Sequence, residues 1–219
     1  MFIAIVPAYN EAHRISSVVL SLLHHVDEVV VVDDGSTDMT AEQAGAAGAT
    51  VLCHEINRGQ GAALETGQQF ARDRGASYVL HFDGDGQFSV SDIAPAWQYL
   101  KEKQADILFG SRFLDQRSEI PFIKKRILLP VAKLINRLYS RMPLTDAHNG
   151  FRIFSKKALQ QIRLSQDRMA HATEIIMLVR RHNLCYVEFP VKVTYYEYGQ
   201  GVEGGMRVLR DLLVGKFLK

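Results

Sequence analysis

The chain has 219 residues, of which 47% are hydrophobic, and this is enough for one sizeable core within a single domain of residues 1–219. Its formal net charge of +2 gives no reason to expect nucleic acid as a partner. The sequence has only two cysteines and no apolar run of the roughly 20 residues that span a bilayer, so we expect a cytoplasmic chain with Cys53 and Cys185 buried and unpaired.

Short apolar runs alternate with segments of helical periodicity along the chain. Helices are predicted near residues 11–24, 40–47, 61–74, 91–103 and 173–181. Strand-like runs lie between them: FIAIVPA, EVVVVDDG, TVLCHE, YVLHFDGDG, DILFGSRF and a late CYVEFPVKVTYYEY. This alternation predicts an α/β fold with a mostly parallel central sheet and helices on both faces. In such a fold, ligands bind at the carboxyl ends of the strands.

The stretch YVLHFDGDGQ ends a buried strand on two carboxylates, Asp83 and Asp85, in a glycine-rich turn. Two carboxylates this close repel each other unless a cation or backbone donors lie between them. Mg2+ or Mn2+ would suit the pair, because such an ion takes one or two carboxylates and fills its other positions with water and phosphate oxygens. Gly84 would let the backbone approach a phosphate, and Gln87 adds a neutral oxygen ligand. A solvated Asp-Gly turn is the alternative.

Two earlier strand ends carry further polar residues. Asp33 and Asp34 in VVVVDDGSTD should lie on the same edge of the sheet as the acidic turn, although an Asx turn with a helix cap also explains them. In PAYNE, Tyr9 could stack on a base and Glu11 could accept hydrogen bonds from it, or Tyr9 merely packs and Asn10 caps a helix.

The stretch NRGQGAALETG, residues 57–67, opens a helix with glycines. Free amides and the helix dipole favour an anion at such a position. Leu64 stands where a dinucleotide fingerprint needs glycine, and there is no Walker lysine. The pattern therefore supports neither a Rossmann cofactor site nor a P-loop.

Taken in order, PAYNE, VVDDGSTD, NRGQGAAL, DGDGQ, GSR and NGFRIF resemble family 2 glycosyltransferases of the GT-A fold, and most closely the dolichyl-phosphate or polyprenyl-phosphate sugar synthases. The resemblance covers roughly residues 1–155, and its specificity lies in the ordered set. Such enzymes move a sugar from a nucleotide diphosphate donor to an acceptor with inversion at the anomeric carbon. The resemblance implies a donor site made of Pro7, Tyr9, Glu11, Asp33 or Asp34, Arg58, Gly59, Asp83 and Gly84, and a Mg2+ or Mn2+ site made of Asp83, Asp85 and Gln87.

The resemblance also implies catalytic residues. Asp85, through its metal, would stabilise the leaving diphosphate. Arg112 of GSR and Arg152 of GFR look like the family's phosphate-facing arginines, with a surface or ion-pair arginine as the alternative. An acceptor phosphate needs little general base, whereas a hydroxyl needs one, and Glu174 and Asp146 are the candidates. Glu174 could equally be an acid on a helix surface.

Some positions depart from the family pattern. Gly84 and Gln60 stand where the family commonly has alanine and lysine, and the loss of that lysine would weaken one phosphate contact. The segments TDAHNGFR and YYEYGQGVEGG also differ, which leaves the acceptor open. The Gln-x-x-Arg-Trp signature of processive synthases is absent from the sequence, so a single transfer is expected.

Two segments are predicted to meet a membrane. Residues 120–143 contain six cations and no acid, and we interpret them as inserted basic amphipathic helices. Residues 204–219 form a similar C-terminal tail. We expect peripheral contact with the cytoplasmic face of an anionic membrane and a polyprenyl phosphate acceptor, with a homodimer or a membrane partner subunit as further options. A core-packed helix with a solvated basic side is the alternative.

Three other functions stay open at this stage. The acceptor could be a hydroxyl of a saccharide in the synthesis of a cell-envelope polysaccharide. LHFDGDGQ also resembles the Asp-x-Asp motif of haloacid-dehalogenase-type phosphohydrolases, although that motif usually lies near the start of the core and here follows three strands. Finally, the chain could be a membrane-bound scaffold without turnover, although the presence of both Asp83 and Asp85 favours an enzyme.

Overall fold

The computed structural model describes residues 1–115, 117 and 142–194. Its strands are β1 (Phe2–Ala8), β2 (Glu28–Asp33), β3 (Thr50–Cys53), β4 (Tyr78–His81), β5 (Ile107–Ser111), β6 (Arg152–Ser155) and β7 (Tyr186–Pro190). Its α-helices are α1 (Ala12–Leu22), α2 (Thr40–Ala46), α3 (Gln60–Asp73), α4 (Ile93–Glu102), α5 (Lys156–Gln161) and α6 (His171–Arg181). The predicted membrane segments, 120–143 apart from its last two residues and 204–219, lie outside the described residues.

The seven strands form one sheet in the order β3-β2-β1-β4-β6-β5-β7. Four neighbouring pairs are parallel, and β6 is antiparallel to both β4 and β5. The prediction of a mostly parallel α/β sheet is therefore confirmed, with β6 as the exception. Because β6 runs against β4, its first residue, Arg152, pairs with His81 at the end of β4. Arg152 thus lies at the edge of the sheet where the acidic turn begins.

Apolar side chains pack against both faces of the sheet. Along β1, Ile3 and Ile5 belong to one core, whereas Ala4 and Val6 belong to the other. The first core is covered by α3, α5 and α6, and the second by α1, α2 and α4. Burial on both faces explains why the strands are continuous apolar runs and not alternating ones.

The burial predicted for Cys53 and Cys185 is wrong: both are exposed and unpaired, because they lie at the end of edge strand β3 and just before edge strand β7. Within the described ranges, no helix combines the length and the apolar character needed to cross a membrane.

Candidate active site

The acidic turn after β4 is packed tightly around Asp83. The side-chain amide of Gln60, at the start of α3, donates to Asp83 Oδ1 over 2.7 Å. On the other side lies Gly150, where an added Cβ would come within 2.6 Å of Asp83 Cγ and closer still to Oδ2. Burial, reinforced by the charge of Asp85, raises the pKa of Asp83 to about 6. Asp83 is therefore buried and closely surrounded, and the binding of one metal ion by both aspartates stays a prediction.

Asp85 and Gln87 complete the turn. The backbone N–H of Gln87 donates to Asp85 Oδ1 over 3.0 Å, and the Gln87 carbonyl accepts from Thr194 N over 2.9 Å. Burial raises the pKa of Asp85, and the hydrogen bond from Gln87 opposes this shift. The backbone of Gln87 is thus fixed beside the carboxylates, and metal ligation by its side chain stays a prediction.

The donor set of this turn fits a divalent metal that also binds substrate oxygens. In the described part of the chain, no group of three or more His, Cys, Asp or Glu side chains could enclose a metal ion. Asp83 and Asp85 instead offer two hard carboxylates and would leave the remaining positions to water and to a ligand. This is how Mg2+ is commonly bound beside substrate phosphates, so the residues present fit such an ion.

Asp33 and Asp34 are both occupied by protein donors. Asp33 Oδ1 accepts from the hydroxyl and, at 3.3 Å, from the backbone N–H of Ser36, three residues on, so the bond differs from the predicted Asx turn, which would join residues two apart. Asp34 Oδ1 accepts from the backbone N–H of Arg58 over 2.9 Å, and its Oδ2 accepts from that of Gly59 over 2.6 Å. His54 Nδ1 lies 2.7 Å from Asp34 Oδ1. Binding of a nucleotide by either aspartate stays a prediction.

Several backbone amides at the start of α3 are already bound by protein acceptors. The amides of Arg58 and Gly59 are taken by Asp34, and Ala62 N donates to the carbonyl of Asp167 over 3.0 Å. Gly59 has a φ of 102° and lies so close to Asp167 that an added Cβ would come within 2.6 Å of its carbonyl oxygen. The protein thus supplies its own acceptors for the amides of Arg58, Gly59 and Ala62, and binding of a ligand anion at the start of α3 stays a prediction. The Arg58 side chain is exposed, with Nη2 3.7 Å from Asp167 Oδ1.

The end of β1 contacts the acidic turn directly. An added Cβ at Gly84 would lie 3.1 Å from the Pro7 carbonyl oxygen, so the two backbones are close. Tyr9 is 47% exposed, a position from which its ring can stack on a ligand. Burial raises the pKa of Glu11, and the charge of Asp85 adds to this effect. Tyr9 and Glu11 thus border the acidic turn, and their contact with a base stays a prediction.

Arg112 and Asp146 form a two-point ion pair. Arg112 Nε donates to Asp146 Oδ2 over 2.7 Å, and its Nη2 donates to Oδ1 over 2.8 Å. The same carboxylate accepts from Arg112 N and from Asn149 Nδ2, both over 3.1 Å. Asp146 is only 5% exposed. It therefore holds Arg112 in position, and this use of its oxygens speaks against its predicted role as a general base.

Arg152 is buried beneath the site, with 1% of its surface exposed. Its Nη2 lies 3.4 Å from the Ala147 carbonyl, and its Nε has no hydrogen-bond partner among the described residues. Burial lowers the pKa of Arg152 to about 10, while the charges of Asp83 and Asp146 oppose the shift. The alternative of a surface arginine is excluded, and the predicted contact with a phosphate stays a prediction.

Glu174 anchors a loop. Its carboxylate accepts from the backbone N–H groups of Ser165 and Gln166 over 3.0 Å and from the hydroxyl of Ser165. These bonds engage both carboxylate oxygens, so the structure supports a role in holding the loop before α6. The predicted role of Glu174 as a general base has no support from these contacts.

Several residues that contact the site were not singled out by the sequence. Gln60 was noted only as a departure from a common lysine, yet it binds Asp83. Gly150 is one of 16 glycines, and its spacing gives no sign that it lies against a carboxylate. His171, at the start of α6, is buried with Nδ1 2.8 Å from the Arg168 carbonyl, and burial lowers its pKa to about 4.

Comparisons with known proteins agree with this architecture. An uncharacterized protein of Methanocaldococcus jannaschii is 34% identical over 97% of this chain and 90% of its own length. A UDP-N-acetylglucosamine–dolichyl-phosphate N-acetylglucosaminyltransferase of Methanococcus voltae is 31% identical over 98% of this chain and 96% of its own length.

Solved structures show the same fold at lower identity. Glucosyl-3-phosphoglycerate synthase from Mycobacterium tuberculosis, in complex with Mn2+ and UDP-glucose, superposes with a TM-score of 0.72 and 19% identity, covering 97% of this chain and 76% of that one. Mannosyl-3-phosphoglycerate synthase from Rubrobacter xylanophilus gives a TM-score of 0.71 and 16% identity, covering 100% and 76%. The profile of Glycosyl transferase family 2 matches residues 3–163. The chain therefore belongs to the family 2 glycosyltransferases, as its ordered motifs indicate, and has the GT-A fold.

Proposed function

We propose that this glycosyltransferase moves one sugar, with inversion and with Mg2+ or Mn2+, from a nucleotide diphosphate sugar to a polyprenyl or dolichyl phosphate. The observation that carries the proposal is the acidic turn, in which Asp83 and Asp85 follow β4 and the Asp83 carboxylate is packed between Gln60 and Gly150. The name of the Methanococcus voltae relative supports a dolichyl phosphate acceptor, and that relative aligns over nearly the whole chain.

The chain's own residues have distinct parts in this mechanism. Asp83 and Asp85 would hold the metal, which when bound supplies positive charge to the donor diphosphate. Tyr9 would stack on the base at the end of β1. Arg112, whose side chain is 26% exposed and held by Asp146, would bring its positive charge to a phosphate. The metal-binding aspartates and Arg112 would thereby help to stabilise the negative charge that builds up on the leaving nucleotide diphosphate, whereas Tyr9 would only position the base.

The occupied carboxylates favour a phosphate acceptor over a hydroxyl. The two candidate bases, Asp146 and Glu174, already accept several protein hydrogen bonds each. A hydroxyl would need one of them to take its proton, whereas a phosphate oxygen is already anionic at neutral pH. An acceptor that brings its own charge therefore suits the geometry better. Transfer to a saccharide hydroxyl is the second candidate.

The enzyme would bind its acceptor at the cytoplasmic face of a membrane. The basic residues of 120–143 and the amphipathic tail 204–219 supply the sequence features for peripheral binding to anionic lipid. A homodimer or a membrane partner subunit could strengthen this attachment. A flotation assay with vesicles, with and without anionic lipid, tests the attachment separately from catalysis.

The central experiment combines a donor panel with two acceptors. GDP-mannose, UDP-glucose and UDP-N-acetylglucosamine are each incubated with Mn2+ and either a short polyprenyl phosphate or the corresponding polyprenol. We expect one donor to be used, with transfer to the phosphate only. Asp85→Asn should abolish transfer, whereas Asp73→Asn, at an exposed position at the end of α3, should not. Transfer to the polyprenol alone would refute the phosphate acceptor and leave the family assignment standing.

A further inference from the structure

We propose that Gln60 is a positioning residue for Asp83. Asp34, which is hydrogen-bonded to His54 and through it to Thr66, would hold the turn just before α3 and so fix Gln60, the first residue of that helix. The inference rests on the proposed function, in which Asp83 binds the metal of the donor complex. It gives Asp34 a role different from the nucleotide contact that the family resemblance implies.

The contact between Gln60 and Asp83 fixes one carboxylate oxygen. Gln60 Nε2 donates to Asp83 Oδ1 over 2.7 Å, and Gly150 lies against Oδ2. The carboxylate is therefore held between a donor on one side and a backbone on the other. An amide donor orients the oxygen without neutralising its charge, whereas a lysine at this position would compete with a metal cation.

Gln60 is held in turn by Asp34. Gln60 is the first residue of α3, and the two residues before it, Arg58 and Gly59, donate their backbone N–H groups to the two oxygens of Asp34. The Asp34 side chain is 5% exposed, so little water competes for these bonds. The position of the Gln60 amide thus depends on a buried carboxylate at the end of β2.

His54 and Thr66 extend the same hydrogen-bonded path. His54 Nδ1 donates to Asp34 Oδ1 over 2.7 Å, and its Nε2 lies 2.9 Å from Thr66 Oγ1, on the second turn of α3. The path therefore leaves α3 at Thr66, passes through His54 and Asp34, and returns to the chain at Arg58 and Gly59, immediately before the helix begins. This closed arrangement keeps the start of α3 in one place relative to the acidic turn.

The test measures metal affinity separately from nucleotide affinity. Mn2+ binding is titrated by electron paramagnetic resonance in the presence of UDP or GDP, and each nucleotide is titrated alone by calorimetry. We expect Gln60→Leu to weaken Mn2+ binding about 10- to 100-fold, the usual effect of losing a partner of a metal ligand, with nucleotide affinity unchanged. Gln69→Leu is the matched control, because Gln69 lies on the same helix, is exposed and donates to Asp73 over 2.8 Å.

Substitutions at the two more distant positions extend the test. Asp34→Asn and the milder Thr66→Val should both weaken Mn2+ binding, Thr66→Val less, and both should lower kcat more than they raise KM for the donor. If Gln60→Leu binds Mn2+ as tightly as the wild type but binds the nucleotide alone more weakly, then Gln60 contacts a phosphate and the proposal is wrong. A wild-type chain that binds no Mn2+ with either nucleotide would instead refute the proposed function itself.

Discussion

Gly150 offers the sharpest test of the acidic turn, because nothing but hydrogen occupies the space between its Cα and the Asp83 carboxylate. An added Cβ would lie 2.6 Å from Asp83 Cγ, whereas real Cβ atoms essentially never come closer than 3.0 Å to such an atom. Gly150→Ala therefore requires the carboxylate carbon to move by at least 0.4 Å, and Oδ2, which is closer, by more. A misplacement approaching 1 Å at a reacting group costs about 100-fold in rate.

We therefore expect kcat/KM for donor transfer to fall by about 100-fold in Gly150→Ala, with weaker Mn2+ binding. Gly45→Ala is the control, since its Cβ would meet only Val51 Cγ2 at an ordinary 3.8 Å. The assay is steady-state transfer with Mn2+ titration, accompanied by thermal unfolding. Combining Gly150→Ala with Asp83→Ala should restore the stability that Gly150→Ala loses, because the clashing oxygens are gone. Wild-type activity in Gly150→Ala would refute this account of the turn.

Four further predictions concern charged groups. In the folded protein the pKa of His171 is lowered from 6.5 to about 4. The neutral side chain therefore contributes its full stability above pH 6.5, and up to about 3 kcal/mol of the free energy of unfolding is lost as the pH falls towards 4. Urea unfolding at pH 5 and pH 7 should show this loss, and His171→Gln should reduce it. Asp146→Asn should destabilise the fold by about 3 kcal/mol and lower kcat/KM, because Arg112 loses its buried counter-charge. Lys157→Met breaks a pair whose lysine is 57% exposed and should cost under about 1 kcal/mol in the same unfolding assay. Mn2+ with UDP or GDP should raise the melting temperature of the wild type and not of Asp85→Ala, and equal shifts in both would contradict ligation by Asp85.

The elements that are continuous in sequence were predictable, because burial on both faces of a parallel sheet leaves long apolar runs. Helix α1 was expected at 11–24 and spans Ala12–Leu22, and α3 was expected at 61–74 and spans Gln60–Asp73. Strand β6 could not be placed between β4 and β5 from the sequence, because its two partners are far away along the chain. The closest registered pairs, 81–152 and 109–152, are separated by 71 and 43 residues. Its antiparallel direction depends on tertiary pairing alone.

The site was predictable in its residue types and less so in their partners. The position of Asp83 and Asp85 at the end of a strand was predictable, because a glycine-rich turn after an apolar run is a local sequence pattern. The sequence could not show that the backbone amides before Gln60 donate hydrogen bonds to the carboxylate of Asp34, since these residues are more than 20 positions apart. The burial of Arg152 was equally hidden, because its charge gives no sign that strands β4 and β5 flank it.

The direction of β6 has a consequence for how such enzymes could diversify. Strand β5 ends, and β6 begins, at the sheet edge that carries the acidic turn, so the connection between them begins and ends on the side of that turn. Exchanging that connection between relatives would leave every strand pairing intact. New acceptors could then be recruited by grafting one continuous piece of chain, provided that the graft keeps Arg112, Asp146 and Gly150 beside the acidic turn.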